Sequence, residues 1–333
     1  MLMTRSMSSW IAGLVLVAGC ASPDAPAWER LETAAGIPPT WGHVAAYDEA
    51  RDRMLVFGGQ GDAGQSNEVW SLDMTTGLWS RLETGDGPGP RSDLGMFIDA
   101  PRDRMIIIGG RVGFSTSIDE VWALDLEALT WSRLPSGPSP RHDIPAVTDG
   151  AHGWVFGGAG ELFQSLEDFW ELDLVTDTWR QLPSRGPRAR TSFAMAYWDG
   201  SIYLHGGHDV ASVTRDTWRY DLETASWARL ELPGGTIAGA HFGFSVDAAC
   251  GTLMLSGGDN LDNYALAHSG ALVLGEAPRF AAVEASELPP ARDHATLVVD
   301  PLRRRMLLFG GGRLGDGLGT LADTWVYPLE GCL

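Results

Sequence analysis

Six Gly-Gly pairs that each end a short apolar run divide this 333-residue chain into units of 48 to 53 residues. Examples of these runs are Met54–Phe57 and Met306–Phe309. Runs of this length bounded by glycine are typical of buried β-strands. A fixed period of about 50 residues indicates a repeat architecture, in which neighbouring units bury one another's apolar faces. The pairs are Gly58-Gly59, Gly109-Gly110, Gly157-Gly158, Gly206-Gly207, Gly257-Gly258 and Gly310-Gly311.

Tryptophans recur in phase with the glycines. In five units a tryptophan follows the pair by eleven to fourteen residues, with an acidic residue two places before it; these are Trp70, Trp122, Trp170, Trp218 and Trp325. A second tryptophan stands nine residues later in four units, at Trp79, Trp131, Trp179 and Trp227. A tryptophan can bury ~150–250 Å² and so fill the wedge between twisted sheets.

Glycine pairs, acidic-x-Trp and the distal tryptophan together resemble the kelch repeat, and the resemblance covers residues 28–333. It implies an all-β, six-bladed kelch-type β-propeller with four antiparallel strands per blade. Only eight residues follow Trp325, so the last blade lacks its fourth strand. Trp28-Glu29-Arg30-Leu31 matches Trp79-Ser80-Arg81-Leu82. We therefore expect the N-terminal strand to close the last blade, so that both chain ends pair in one sheet and no blade is left open.

Residues 1–19 are expected to be a lipoprotein-type signal peptide. Arg5 supplies a positive start, and the apolar stretch from Trp10 to Ala18 is too short to span a bilayer. Leu16–Cys20 resembles a bacterial lipobox, which implies a lipid on Cys20 and a short tether over residues 20–27. The alternative is an ordinary signal peptide cut near Ala18. Ala21 and Ser22 resemble lipoproteins sorted to the outer membrane, so the predicted location is the bacterial cell envelope.

The net charge limits the expected partners, and the cysteine content allows one disulfide. A net charge of −19 opposes binding to nucleic acid or anionic lipid, so membrane contact is expected through the lipid anchor only. Cys250 and Cys332 remain as an even pair in an oxidising compartment. They are either a disulfide or two separate thiols.

By analogy with other propellers, a ligand site is expected at the mouth of the central channel. Polar residues flank the predicted innermost strands there and define a candidate ligand collar: Arg91, Arg141, Arg190, Arg292, His43, Asp93, Asp143, His241, His294 and His208. Arginine suits carboxylates, and mixed His and Asp suit sugar hydroxyls. The alternative is that the Pro-Arg pairs belong to the repeat itself and hold blades together through ion pairs.

Unit five departs from the pattern, because Ala271 and Phe280 replace its two tryptophans. It is either a degenerate blade or one whose acidic loop, Asp259–Tyr264, serves a ligand such as calcium. We predict no cofactor and no metal site.

Neither a nucleophile motif nor a metal-protease or phosphate-loop motif occurs in the sequence. The favoured function is therefore a non-catalytic, monomeric scaffold that binds an envelope protein or a glycan. The alternative is a carbohydrate-directed enzyme resembling a periplasmic sialic-acid mutarotase, which needs a general acid and base beside a sugar ring.

Overall fold

The computed structural model describes residues 26–33, 36–209, 212–233, 236–260, 265–312 and 319–333. The expected signal peptide, Cys20 and most of the tether lie outside these residues. No helix among the described residues is long and apolar enough to cross a membrane.

The described residues form six four-stranded antiparallel sheets arranged as the blades of a propeller. Blade one contains β2 (Val44–Asp48), β3 (Arg53–Phe57), β6 (Val69–Asp73) and β7 (Trp79–Leu82). Blade two contains β8 (Gly95–Asp99), β9 (Arg104–Ile108), β12 (Val121–Asp125) and β13 (Trp131–Leu134). Blade three contains β14 (Ala146–Thr148), β15 (His152–Phe156), β16 (Phe169–Asp173) and β17 (Thr178–Leu182).

The second half of the ring repeats this arrangement. Blade four contains β18 (Ala194–Trp198), β19 (Ser201–His205), β20 (Thr217–Asp221) and β21 (Ser226–Leu230). Blade five contains β22 (Gly243–Asp247), β23 (Thr252–Ser256), β24 (Ser269–Val273) and β25 (Arg279–Ala282). Blade six contains β26 (Thr296–Asp300), β27 (Arg305–Phe309), β28 (Thr324–Pro328) and β1 (Glu29–Leu31).

Short elements complete the chain between the strands of the first three blades. They are two small hairpins, β4 (Gln60–Gly61) with β5 (Gly64–Gln65) and β10 (Arg111–Val112) with β11 (Thr116–Ser117), and the 3₁₀ turns Glu49–Arg51, Ala100–Arg102 and Glu161–Phe163.

The predicted closure of the last blade is confirmed. Strand β1 pairs with β28 in the register Glu29↔Val326, Arg30↔Trp325 and Leu31↔Thr324. Trp28 is 1% exposed and its ring lies 5.4 Å from that of Tyr327. The two ends of the described chain therefore meet in one sheet, and β1 covers the outer edge of β28.

The distal tryptophans pack between blades, as the wedge argument predicts. Trp131 of blade two contacts Phe57 of blade one with ring centroids 5.5 Å apart. Trp79 of blade one contacts Phe309 of blade six at 5.0 Å. The glycines permit a matching close approach: Gly58 has φ +70°, and a Cβ atom there would lie 2.7 Å from the carbonyl oxygen of Arg91.

Blade five keeps all four strands despite its lost tryptophans. The strand register corrects one expectation: Gly270, rather than Ala271, occupies the position of the third-strand tryptophan, because Gly270 pairs with Leu255 as Trp70 pairs with Val56. The ring of Phe280 lies against Gly270, where a Cβ atom would collide. Leu261–Tyr264, in the acidic loop, lie outside the described residues.

Cys250 and Cys332 form a disulfide, with Cα atoms 5.2 Å apart. Cys250 lies in the turn between β22 and β23, and Cys332 lies just beyond β28, so the bond links blade five to the closing blade.

Reduction of this disulfide should lower the free energy of unfolding by roughly 3–4 kcal/mol. The bond spans 82 residues, and a closed loop of that length restricts the unfolded chain strongly. Thermal melting with and without a reductant measures the loss. Cys332→Ser should melt like the reduced wild type and should not respond to the reductant. An unchanged melting temperature on reduction would contradict the prediction.

Candidate binding site at the channel mouth

Six equivalent residues, one before each innermost strand, form a closed ring of backbone hydrogen bonds around the channel mouth. Each backbone N–H donates to the carbonyl oxygen of the ring residue in the preceding blade, over 2.7 to 3.2 Å. All six have positive φ, between +49° and +63°. Asp, His and Gly enter this left-handed region more readily than most residues, which suits the composition of the ring. The members are Gly42, Asp93, Asp143, Ser192, His241 and His294.

The ring forms the polar rim of a cavity of about 780 Å³ that includes its open mouth. The wall beneath the rim is apolar, since the inner strands turn mainly hydrophobic side chains toward the channel. The wall residues include Leu94, Met96, Ile144, Phe193, Phe242, Phe244 and Leu297. A polar rim above an apolar wall is the usual character of a small-ligand site.

One side of the rim joins carboxylates to an imidazole. Arg111 Nη2 donates to Asp93 Oδ2 over 2.6 Å, and the guanidinium lies 5.8 Å from the centre of the Trp41 ring. Burial and the neighbouring Asp143 raise the pKa of Asp93, although His294 and Arg111 oppose them. Burial alone would lower the pKa of His294, but the surrounding carboxylates outweigh it and raise that pKa.

The opposite side of the rim joins three side chains from two blades. Asp259 Oδ2 lies 3.1 Å from His241 Nδ1, and Asp259 Oδ1 lies 3.5 Å from His208 Nε2. The His241 ring also stacks on the His294 ring, with centroids 3.7 Å apart. Burial would raise the pKa of the Asp259 carboxyl, but the two imidazoles hold it well below its usual range.

Two groups of side chains among the described residues could hold a metal ion. They are Asp143 with His241 and His294, and His208 with His241 and Asp259. The sequence did not predict either, because their members come from loops of different blades.

Comparison with known proteins identifies the repeat. The family described as the KLHDC2/KLHL20/DRC7 Kelch-repeats domain matches residues 19–187 and 135–272, which is more than half of the chain. The chain belongs to the kelch-repeat family.

Individual relatives are similar to this kelch protein over part of its length. It is 32% identical to acyl-CoA-binding domain-containing protein 4 of Arabidopsis thaliana over 142 residues, which are 41% of this chain and 21% of the relative. It is 31% identical to the human Rab9 effector protein with kelch motifs over 143 residues, which are 41% of this chain and 38% of the relative. This chain therefore spans well under two thirds of either relative.

The four collar arginines have a structural position in this kelch propeller, which corrects the predicted ligand collar. Arg91, Arg141, Arg190 and Arg292 are each 1% exposed. Each pairs with the acidic residue of the acidic-x-Trp motif, in the pairs Arg91–Glu120, Arg141–Asp168, Arg190–Asp216 and Arg292–Asp323. Because their donors are used inside the blades, these guanidinium groups are not available to a ligand at the mouth. The alternative interpretation of the Pro-Arg pairs is the one the geometry supports.

The remaining collar residues separate into two sets. Asp93, Asp143, His241 and His294 belong to the ring, and His208 lies beside it. His43 lines the cavity one residue beyond the ring but is 4% exposed, and burial lowers its pKa to about 3. It is therefore a neutral wall residue whose Nε2 lies 2.9 Å from Thr296 Oγ1.

Sequence reasoning missed three contributors to the rim. Ser192 and Gly42 complete the ring, and Trp41 stands edge-on to His294 at 5.2 Å. An alignment of the six units on their inner strands would have found the ring, since its members occupy one column.

A fully buried histidine away from the mouth predicts a pH dependence. His205 Nδ1 lies 2.8 Å from Thr217 Oγ1 and its Nε2 lies 3.1 Å from Ile237 O. Burial lowers its pKa from 6.5 to about 4. The unfolded chain therefore binds this proton first, and stability should fall as the pH drops from about 6.5 to about 4.

Replacement of His205 by glutamine should make this loss of stability at acid pH smaller. The difference should reach roughly 3 kcal/mol, because one proton is involved and each unit of pKa shift corresponds to about 1.36 kcal/mol. Thermal melting of both proteins from pH 7.5 to 4 provides the measurement. His152→Gln, at a side chain that is 39% exposed, is the matched control and should keep the wild-type slope. Equal slopes in all three proteins would contradict the prediction.

Proposed function

We propose that this kelch propeller is a non-catalytic scaffold that binds a protein partner at the bacterial cell envelope. The observation that carries the proposal is a cluster of exposed apolar side chains on the mouth face. Four of them, here called the apolar tips, stand on adjacent loops of blades two and three: Val112, Phe114, Leu162 and Phe163. Phe114 is 87% exposed and Leu162 is 95% exposed. Exposed apolar clusters rimmed by polar groups commonly mark protein contacts.

The two loops are held against each other. Ser117 Oγ, at the end of the blade-two hairpin, lies 2.8 Å from His142 Nδ1 and donates to Gly160 O over 3.2 Å. Phe163 stands edge-on to the His142 ring at 5.6 Å. A patch braced in this way needs little ordering when a partner binds, which favours affinity.

The backbone of the blade-three loop is also strained. Leu162 and Phe163 have φ values of +54° and +60°, which are uncommon for bulky residues. Residues held in sparsely populated backbone regions cluster at functional sites such as ligand clamps. We therefore expect the partner to bury the side chains of both Leu162 and Phe163.

The partner is expected to be a basic protein. This chain carries a net charge of −19, so a partner with positive charge around an apolar contact is attracted and oriented. One relative of this chain is named Rab9 effector protein with kelch motifs, and this name supports a protein partner.

Site-specific photo-crosslinking in cells tests the scaffold. A crosslinking residue at position 114 or 162 should give one discrete protein adduct, and the same residue at 175 or 302 should not. Val175 and Leu302 are 72% and 62% exposed on turns at the opposite face, so they match the exposure but not the location. Identical adducts at all four positions, or a glycan-only adduct, would overturn the proposal.

The membrane attachment is a separate part of the proposal. A lipid on Cys20 would hold the propeller within a short tether of the outer membrane, and the lipobox-like Leu16–Cys20 supports it. Wild type should incorporate a labelled fatty acid and sediment with membranes. Cys20→Ser should do neither. Incorporation of the labelled fatty acid by Cys20→Ser would contradict the proposed lipid site.

One observation favours a carbohydrate-directed enzyme as a second candidate. Asp93 and His294 lie on one side of the rim, both with raised pKa values, and acid and base groups with shifted pKa values are what sugar-ring chemistry requires. A thermal-shift screen with sugars and sialic acids tests it. A selective shift that Asp93→Asn abolishes would support the enzyme, and no shift with any sugar would remove it.

A further inference from the structure

Three potential metal ligands from different loops converge beside the ring. His208 follows the glycine pair of blade four, Asp259 follows that of blade five, and His241 is the ring residue between them. We propose that His208, His241 and Asp259 bind a zinc ion through two imidazole nitrogens and a carboxylate oxygen. This site is independent of the apolar tips and of the proposed scaffold function.

The spacing of the ligand atoms fits zinc. Tetrahedral zinc with bonds of about 2.0–2.1 Å places neighbouring ligand atoms roughly 3.3 Å apart. The Nδ1 of His241 lies 3.1 Å from Asp259 Oδ2, and the Nε2 of His208 lies 3.5 Å from the other oxygen of the same carboxylate, Oδ1. All three ligand atoms lie within 4.8 Å of one another. Small side-chain movements therefore suffice to bring them around one ion.

An unsatisfied buried oxygen points to the same place. Asp259 is 5% exposed, and its Oδ1 atom has no hydrogen-bond partner. The Nε2 of His208 lies 3.5 Å from this oxygen, which is too distant for a good hydrogen bond but close to the separation of two zinc ligands. Buried carboxylate oxygens rarely remain unpaired, and a metal ion would satisfy this one.

Neighbouring groups already orient the central ligand. The Nε2 of His241 lies 2.8 Å from Ser192 Oγ, which leaves Nδ1 directed at Asp259. A metal-bound histidine usually makes such a hydrogen bond through its other nitrogen, because that bond fixes the ring. Stacking on His294 holds the same ring from its face.

The grouping of Asp143 with His241 and His294 is less suited to an ion. The His241 and His294 rings are stacked with an interplanar angle of 24° and centroids 3.7 Å apart. Lone pairs on ring nitrogens lie in the ring plane, so nearly parallel rings cannot direct two of them at one ion. Asp143 therefore provides a control residue on the same rim.

Three protein ligands would leave the fourth tetrahedral position for water or for an anionic group. The two imidazole ligands are not part of the repeated glycine and tryptophan pattern. They are present because this chain has histidine at the ring position of blade five, His241, and after the glycine pair of blade four, His208.

Zinc binding to the untagged full chain, stripped of metal with a chelator, tests the proposal. Equilibrium dialysis followed by elemental analysis should find one zinc ion per chain, and titration calorimetry should give the affinity. His208→Ala and Asp259→Asn should each weaken zinc binding at least about 100-fold, since loss of an outer-shell partner alone costs 10–100-fold. Cobalt in place of zinc should give the visible bands of a tetrahedral ion, and His208→Ala should abolish them.

Two control variants should leave zinc binding unchanged. His152→Ala removes an exposed histidine that lies 3.6 Å from Asp149 on the opposite face, and it should bind zinc as wild type does. Asp143→Asn should also keep the affinity. The side chain of His208 is 27% exposed, so His208→Ala should retain the metal-free melting temperature.

Three results would overturn the zinc site. They are no zinc retained by the wild type, unchanged affinity in both His208→Ala and Asp259→Asn, and loss of binding in Asp143→Asn with retention in Asp259→Asn. The last would assign the ion to the other grouping.

Discussion

Replacement of Arg141 by alanine should lower the free energy of unfolding by up to about 3–5 kcal/mol, the cost of breaking a fully buried ion pair, since its partner Asp168 is 25% exposed. The guanidinium is 1% exposed and donates to both carboxylate oxygens of Asp168, at 2.8 and 2.7 Å. It also donates to Gly157 O over 2.9 Å. Alanine would leave the carboxylate and this carbonyl without their strongest partner. Chemical denaturation monitored by tryptophan fluorescence measures the loss.

The acid limb of the stability curve should change as well. Burial raises the pKa of Asp168, but the hydrogen bonds from Arg141 outweigh it and hold that pKa below its ordinary value. A carboxyl with a lowered folded pKa stabilises the protein above its unfolded pKa, and the stabilisation is lost as the pH falls. Arg141→Ala should therefore remove part of the acid sensitivity.

Arg81→Ala is the matched control for Arg141→Ala. Arg81 pairs with Glu68, the acidic residue at the same position of blade one, but its side chain is 50% exposed. Exposed pairs contribute little because solvent screens them, so the melting temperature should hardly change. Equal destabilisation by the two substitutions would contradict a structural role for the buried arginines.

Removal of β1 should destabilise the propeller at least as strongly. Deletion of residues 26–32 takes away the outer strand of blade six and the buried Trp28, and exposes the edge of β28. Trp28→Ala alone should cost about 3–5 kcal/mol, as for other buried tryptophans. Thermal melting of both variants measures the effect.

Glu29→Ala is the control within the same strand. Glu29 is exposed and next to Trp28, so its replacement should leave the melting temperature close to that of the wild type. If the deletion variant melted like the full chain, β1 would be dispensable and the closure would have no energetic role.

The architecture could be predicted because each unit carries its own signals. The glycine pair, the acidic-x-Trp motif and the distal tryptophan lie within one blade, so their spacing identifies the repeat, and the resemblance to the kelch family then implies the strand order. The match of Trp28-Glu29-Arg30-Leu31 to the outer strand of blade one was sufficient to predict the closure, because β1 has the same edge role.

The candidate site was less predictable, because its contacts join residues far apart in sequence. The direction of the Arg141 side chain is set by its hydrogen bonds to Asp168 and Gly157. Its position in the sequence was equally consistent with a side chain that points into the channel mouth. The grouping of His208, His241 and Asp259 depends on how blades four and five are turned about the channel. No local sequence pattern predicts the angle between these two blades.

The closure of blade six also fixes the order in which this chain can finish folding. Strand β1 precedes every other described strand in the sequence, yet its partner β28 is the last of them. Contacts of such long sequence separation slow folding, since the ends of nearly the whole chain must meet before the pairing stabilises anything. During synthesis the early blades can pair internally while their outer faces remain open to wrong partners. The first strand to be made is therefore the last to be built into the ring.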